Sequence, residues 1–355
     1  MTEAKTSRRR RVAPTINDVA KRAGVSSMTV SRVINGEANV RESTRETVNA
    51  AIAALNYAPN PAARSLAGAG QVRIGLLYSN PSAAYLSEFL VGGLDQASRS
   101  DAQIVVEKCE IGDHEVAAAQ HLIAGGIDGI ILPPPICDSR LVLEVLQKAG
   151  IPTVVVATGS PPDKMLAVTI DDRDAARAMT RHLMALGHRR IGFVMGNPNQ
   201  TGSALRLEGY QSALAEAGLT ADPELIAPGL YTYRSGLDAA DQLLGLDKPP
   251  TAVFAANDDM AAAVIAVAHR RGLDVPGDLS VCGFDDTALA TAIWPELTTI
   301  HQPIAEMSRA SVELLITAIR QKGRLSETGR HLVLDYTLIR RHSDAPPRRR
   351  PRARP

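Results

Sequence analysis

Polar residues that follow apolar runs are where a chain of this kind can do chemistry. Ser79 and Asn80 follow VRIGLLY, Asp171 follows AVTI, and Asn257 and Asp258 follow AVFAA. Asp285 and Asp286 follow SVCGF, Gln302 follows LTTIH, and Arg206 sits early in the helical stretch after GNPNQTGS. In open α/β sheets ligands bind beyond the carboxyl ends of strands, so these positions are the candidate ligand contacts. The set is carboxylates, amides and one guanidinium, groups that pair with adjacent hydroxyls, and an arginine suits polyol or anion recognition. Tyr85 and Tyr231 are the aromatic faces available to cover the C–H surface of a sugar. The chemistry is binding. Ser203, His301 and Asp285 do not form a nucleophile elbow, because no GxSxG exists. No HExxH or Cys/His cluster suggests a metal, and no cofactor is expected. Asn257 as a helix cap and Asp285-Asp286 as a strand-end cap are the structural alternatives at those positions.

A second set lies near the start of the sequence. Thr15 and Asp18 form a capping box for a helix with Ile16, Val19, Ala20 and Ala23 on one face. Gly24 supplies a turn, and Ser26 caps a second helix whose Val25, Val30 and Val33 point inward. Two helices across a short glycine turn place the second in the DNA major groove. The DNA-facing set there is Thr15, Ser26, Ser27, Met28, Thr29, Ser31, Arg32 and Asn35. Arg32 is the guanine or phosphate contact, Ser27 and Met28 set sequence preference, and Thr29 and Ser31 hold phosphates. Ser43 and Glu46 form a further capping box, with Val48, Ala51, Ile52 and Leu55 completing a three-helix core. Asn60-Pro61 then opens a helix to Ala67 that is too short to stand alone.

The elements behind the cleft alternate. Continuous apolar strands separated by amphipathic helices signal parallel sheets covered on both faces. Two such series occur, broken near AVTID, and imply two α/β lobes. HLVLDYTLIRR reads as one late strand.

Charge supports the division. Of 355 residues, 1–68 hold 11 Lys/Arg against 5 Asp/Glu, and 340–355 hold 7 Arg against 1 Asp, while the remainder is acidic. A basic head on an acidic body is the footprint of a DNA-binding head on a small-molecule-binding body. Three cysteines without metal or redox spacing fit a reducing compartment. No apolar targeting segment follows the basic start, and no apolar run is long enough to span a membrane, so the expected location is cytoplasmic, on the nucleoid. His188, in LGHRRI, reads as a structural turn residue. Trp294, beside Pro295, reads as packing or subunit contact.

The motifs TINDVAKRAGVS, TVSRVIN, LNYAPN and ARSLA together resemble the LacI/GalR family of bacterial transcription regulators, over the chain to about Arg341. Residues 1–14, with Arg8-Arg9-Arg10-Arg11, read as a disordered basic arm, and the resemblance implies a helix-turn-helix head at 15–58 and a hinge helix and linker at 59–70. It further implies a two-lobe periplasmic-binding-protein-like core at 71–341, with chain crossovers near Ile170, Phe284 and Thr299; the low-complexity residues 342–355 read as a disordered basic tail. In the hinge, Asn60, Ala63, Arg64 and Leu66 would enter the minor groove, Leu66 as the wedge. The family's effector pattern matches at Ser79, Arg206, Asn257, Asp285 and Gln302, with an aromatic kept at Tyr231. It departs at Ala157, where sugar-binding relatives have Asp, at Ile170, where they have Phe, and at Gln200, where purine-binding relatives have arginine. The implied function is an effector-responsive repressor, most simply of carbohydrate genes. It would bind a palindromic operator in double-stranded DNA as a homodimer and be released by a sugar. A nucleoside or phosphorylated corepressor, or a solute-binding receptor, are the alternatives. No leucine heptads follow residue 341, which points to a dimer rather than a tetramer.

Overall fold

The structure is a computed structural model and describes residues 14–34, 40–55, 71–163, 165–321 and 330–348. The chain divides into two compact units, Met1–Gln71 and Val72–Pro355.

The first unit holds α1 (Ile16–Ala23), α2 (Ser27–Ile34) and α3 (Glu42–Leu55). The Thr15/Asp18 capping box is formed: Thr15 N donates to Asp18 Oδ2 at 2.8 Å, and Asp18 N donates to Thr15 Oγ1 at 3.4 Å. Gly24 takes φ 66°, the left-handed turn that ends α1 and that an L side chain resists. Val19, Ala20, Val30, Val33, Val48 and Ala51 bury together as the head's core. The Ser43/Glu46 capping box does not form. α3 starts two residues earlier, with the Arg41 carbonyl accepting from Thr44 N and Arg45 N, so Ser43 lies inside the first turn.

The second unit has two six-stranded sheets. Lobe A orders its strands β11-β5-β4-β3-β1-β2, all parallel. These are β1 (Val72–Tyr78), β2 (Ala102–Lys108), β3 (Gly129–Leu132), β4 (Thr153–Val156), β5 (Leu166–Thr169) and β11 (His331–Val333). Lobe B orders its strands β12-β10-β9-β8-β6-β7, parallel except for β12 against β10. These are β6 (Ile191–Val194), β7 (Ile226–Ala227), β8 (Ala252–Ala255), β9 (Ser280–Asp285), β10 (Thr298–His301) and β12 (Thr337–Ile339). In lobe A, α4 (Ala83–Arg99), α5 (Glu115–Ala124) and α6 (Arg140–Ala149) cover the sheet. Lobe B carries α7 (Asp172–Ala185), α8 (Thr201–Glu216), α9 (Tyr233–Leu244), α10 (Asp258–Arg270) and the short α11 (Ala288–Ala292). The last helix, α12 (Ile304–Arg320), follows a lobe B strand but packs on α4 and β3–β5 of lobe A.

The chain therefore crosses between lobes three times: after Ile170, at 302–303 and at 334–336. The first matches the expected position. Phe284 and Thr299 instead lie within strands β9 and β10, because a strand already hydrogen-bonded on both sides cannot also be the connection. HLVLDYTLIRR is not one strand. β11 pairs with β5 and β12 with β10, so the segment is divided between two sheets.

The tail also departs from expectation. Residues 342–348 run along lobe B, with Ser343 buried. Ser343 Oγ accepts from Thr298 N at 2.8 Å and donates to the Val281 carbonyl at 2.6 Å. Asp344 meets His182 Nε2 at 2.7 Å. Proline and arginine content concealed a segment fixed by backbone pairing. His188 is buried and bonded to Thr251, Ser280 and the Ala345 carbonyl, and burial lowers its pKa. It is a neutral structural imidazole.

Candidate functional site

The lobes enclose a cleft lined by Asn80, Ser82, Tyr85 and Ala157 from lobe A, and by Gln200, Gly202, Arg206, Tyr231, Asn257, Asp285 and Gln302. In this conformation it holds about 40 Å³ of solvent-sized space, room for only a few waters.

Arg206 is the centre of the site. Its Nε donates to Asp172 Oδ1 at 2.7 Å and its Nη1 to the Ala256 carbonyl at 2.6 Å. Nη2 reaches Gln302 Oε1 at 3.4 Å, and Asp285 Oδ1 lies 3.7 Å from Nη1. The guanidinium rests on the Phe284 ring, 3.6 Å from its centroid, a geometry that suits arginine and would not suit lysine. Burial opposes the Arg206 charge, but the Asp172, Tyr231 and Asp285 fields outweigh it and raise its pKa. Burial also pushes Asp285 well above the usual carboxylate range, with Arg206 opposing. One cation thus stands between two buried carboxylates, and the cleft has no surplus positive charge.

Tyr231 donates or accepts through its hydroxyl with Ser203 Oγ at 2.7 Å. Asn257 caps α10, accepting from Met260 N at 3.0 Å, and its Nδ2 donates to the Tyr231 carbonyl at 3.1 Å. Asn257 therefore caps α10 and also lines the cleft. Tyr85 is buried, and its hydroxyl has no partner among the described residues. An unpaired buried hydroxyl is costly, so one facing a cleft points to a ligand group. Ala157, Tyr231 and Asp285 have positive φ of 54°, 60° and 106° without being glycine. Such backbone strain gathers at binding sites.

Two expected residues are displaced. Asp171 is exposed and caps α7, accepting from Asp174 N at 2.9 Å. Its neighbour Asp172, 1% exposed, is the one that pairs with Arg206. The signal was present: Asp172, Ala175, Ala176 and Met179 share the buried face of α7 at helical spacing. Ser79 does not line the cleft. The chain bends at Asn80-Pro81 and brings Ser82 there instead. Asn80 lines the cleft, bonded to the Pro134 carbonyl at 3.2 Å. Trp294 is 78% exposed and is not among the lining residues. Among the described residues no group of His, Cys, Asp and Glu is arranged to hold a metal ion, and no helix is long and apolar enough to cross a membrane.

On the head, Ser26, Ser27, Met28 and Arg32 are exposed on or beside α2, with Met28 at 65%. Thr29 and Ser31 are half-buried. Thr15 and Ser26 use their hydroxyls as caps, Ser26 Oγ accepting from Thr29 N at 3.1 Å. Asn35 and the hinge residues Asn60, Ala63, Arg64 and Leu66 lie outside the described residues.

Comparison with known proteins joins the two units. Residues 15–60 match the model for bacterial regulatory proteins of the lacI family, and residues 180–343 match a periplasmic binding protein-like domain. Catabolite control protein A of Priestia megaterium is 37% identical over 303 residues, covering 85% of this chain and 91% of that protein. The chain belongs to the LacI family. A lac repressor dimer bound to operator and the anti-inducer ONPF superimposes with TM-score 0.76 at 30% identity, covering 94% of this chain and 100% of that one. A complex of the transcriptional regulator CelR with cellobiose gives TM-score 0.71 at 32% identity, covering 93% and 99%. As a LacI-family protein, this chain is a DNA-binding transcriptional regulator and not an enzyme.

One buried acid beside the cleft carries a pH prediction. Asp258 accepts from Thr287 N at 2.8 Å and Thr299 Oγ1 at 2.7 Å, and burial pushes its pKa up to about 7. The folded state then binds a proton that the unfolded state releases near pH 4, so stability falls as pH rises from about 4 to 7. Asp258→Asn keeps an acceptor for Thr287 N and removes the titration. Its Tm should gain on the wild type across that interval, measured by calorimetry at pH 5 and 7.5. Parallel curves would refute the assignment.

Proposed function

We propose that this LacI-family regulator is a dimeric repressor of carbohydrate genes, released from a palindromic operator by an uncharged sugar. The observation that carries the effector class is the charge balance around Arg206. With Asp172 at 2.7 Å the guanidinium is already paired, so a phosphorylated ligand would find no free cation and would meet the buried Asp172 and Asp285 carboxyls. A neutral polyol meets donors and acceptors together, with the Tyr85 hydroxyl unpaired and Tyr231 as an aromatic wall. The cellobiose complex of CelR is consistent with this class. The dimer reading is supported by Val91, Leu94 and Trp294, large apolar side chains left exposed on the second unit. Two-fold symmetry then calls for a two-fold operator.

The test is fluorescence anisotropy of a labelled palindromic duplex titrated with the full-length protein. Cellobiose and a panel of neutral mono- and disaccharides are then added. The expected weakening is about 5- to 150-fold, the range of a typical coupling energy. If only nucleosides or sugar phosphates change operator affinity, the neutral-sugar assignment fails. In the same assay Arg32→Ala should lower affinity by roughly 5- to 150-fold and relax preference at one base pair of each half-site. Leu66→Ala should remove most of the preference for operator over random duplex, because the kink it wedges open is lost. Unchanged operator affinity of Leu66→Ala would remove the wedge role.

A further inference from the structure

α8 carries Ser203 and Arg206 but is not capped by its own sequence. Gln200, the residue before it, makes no side-chain cap bond. The cap comes from the other lobe. Asp138, at the end of the single-turn helix Ile136–Asp138, accepts from Thr201 N at 2.9 Å through Oδ2. Its Oδ1 accepts from Thr201 Oγ1 at 2.9 Å and from Thr158 Oγ1 at 2.6 Å. Gly159 N of lobe A donates to Thr201 Oγ1 at 2.7 Å.

A second link joins two helix starts: Ser82, the cap of α4, donates to Asp259 Oδ2 in the first turn of α10 at 2.6 Å. Burial at the boundary raises the pKa of both Glu88 and Asp259, as expected of carboxyls that leave water when the lobes meet.

An uncapped helix start leaves N–H groups without partners at the positive end of the helix dipole, and a carboxylate there satisfies both needs. We propose that lobe A keeps the cleft closed by capping a helix of lobe B, with Asp138 as the principal latch and the Ser82–Asp259 bond beside it. Opening the cleft and loosening the first turn of α8 are then one event, and the helix bearing Arg206 is disturbed whenever the lobes part. This goes beyond the sugar reading and does not depend on the effector's identity.

The experiment is hydrogen–deuterium exchange of the full-length protein without effector, reading each substitution in the opposite lobe. Asp138→Ala, made in lobe A, should speed exchange on the order of ten-fold in a peptide spanning 198–208 of lobe B, the scale of a lost cap. Thr201→Val, made in lobe B, should speed exchange around Gly159 in lobe A. Changes confined to the substituted lobe would overturn the proposal. If β8 exchanges faster as well, Asp138→Asn decides. Its Oδ1 can still cap, so protection of 198–208 close to wild type supports the latch, and exchange as fast as in Asp138→Ala overturns it.

Discussion

Replacing Arg206 with Met is expected to destabilise the two-lobe core by about 3–5 kcal/mol, the usual cost of removing one partner of a buried ion pair. The side chain is buried, as are Asp172 and Asp285, so the loss leaves two carboxylates facing each other without a cation. Domain stabilities are about 5–15 kcal/mol, so this is a large share. The sign with pH follows from the carboxyls. Their folded pKa values rise further once the guanidinium is gone, the folded state holds extra protons, and stability falls as pH rises. The deficit should therefore be greatest near pH 8 and shrink toward pH 5. Adding Asp172→Asn should restore much of it, because one uncompensated charge is removed. Calorimetry of the single and double variants at both pH values checks this. An equal deficit at pH 5 and pH 8 would mean that the arginine contributes packing over Phe284 rather than charge.

The second large effect is expected at Gly209, which has no contact with any ligand position. A Cβ there would lie 2.2 Å from the Arg173 carbonyl oxygen, 2.9 Å from Ala176 Cβ and 2.9 Å from Arg177 N. All three belong to α7, and two are backbone atoms that cannot rotate away. The helices must separate by more than an ångström, which costs about 3 kcal/mol, the upper end of the range for overpacking. Alanine recovers up to ~1 kcal/mol through helix propensity, leaving a net loss of about 2 kcal/mol for Gly209→Ala. The same separation pulls Asp172 away from Arg206, because one lies on each helix. Effector response should therefore fall with stability, although the substitution lies one turn beyond Arg206. Gly202→Ala is the control: its nearest neighbour is 3.5 Å away, so it should be neutral or slightly stabilising. Equal destabilisation by both variants would show that α8 dislikes alanine generally, and the close-approach explanation would fail.

Local rules were legible where they act locally. Thr15, Asp18 and Gly24 announced α1 and its end, and the structure forms both features. The alternation of strands and helices announced two parallel-sheet lobes. Arg206, Asn257, Asp285, Gln302, Tyr85, Tyr231 and Asn80 do line one cleft. What was not legible depends on phase or partnership. Choosing Asp171 over Asp172 is a matter of where α7 begins, and a one-residue shift exchanges solvent for the buried face. Ser79 gave way to Ser82 because a strand-end rule does not know how sharply Asn80-Pro81 turns. The division of 331–339 between two sheets and the burial of Ser343 are decided by strands distant in sequence. No window of neighbouring residues carries that information. The cap that Asp138 gives α8 has the same origin, since it joins residues 63 apart.

The threefold passage of the chain between the lobes bears on how the protein can be made. As it leaves the ribosome, the first lobe has five of its six strands once Thr169 has emerged, yet α12 and β11 are still unsynthesised. The sheet face that α12 will cover, on β3 to β5, stays bare until nearly the whole second lobe has been translated. A growing chain halted between the lobes therefore presents sticky apolar strands, and the two halves must mature almost together. Expression of the front half alone should yield aggregates, and chaperone demand should peak before residue 304 emerges rather than at the end of either lobe.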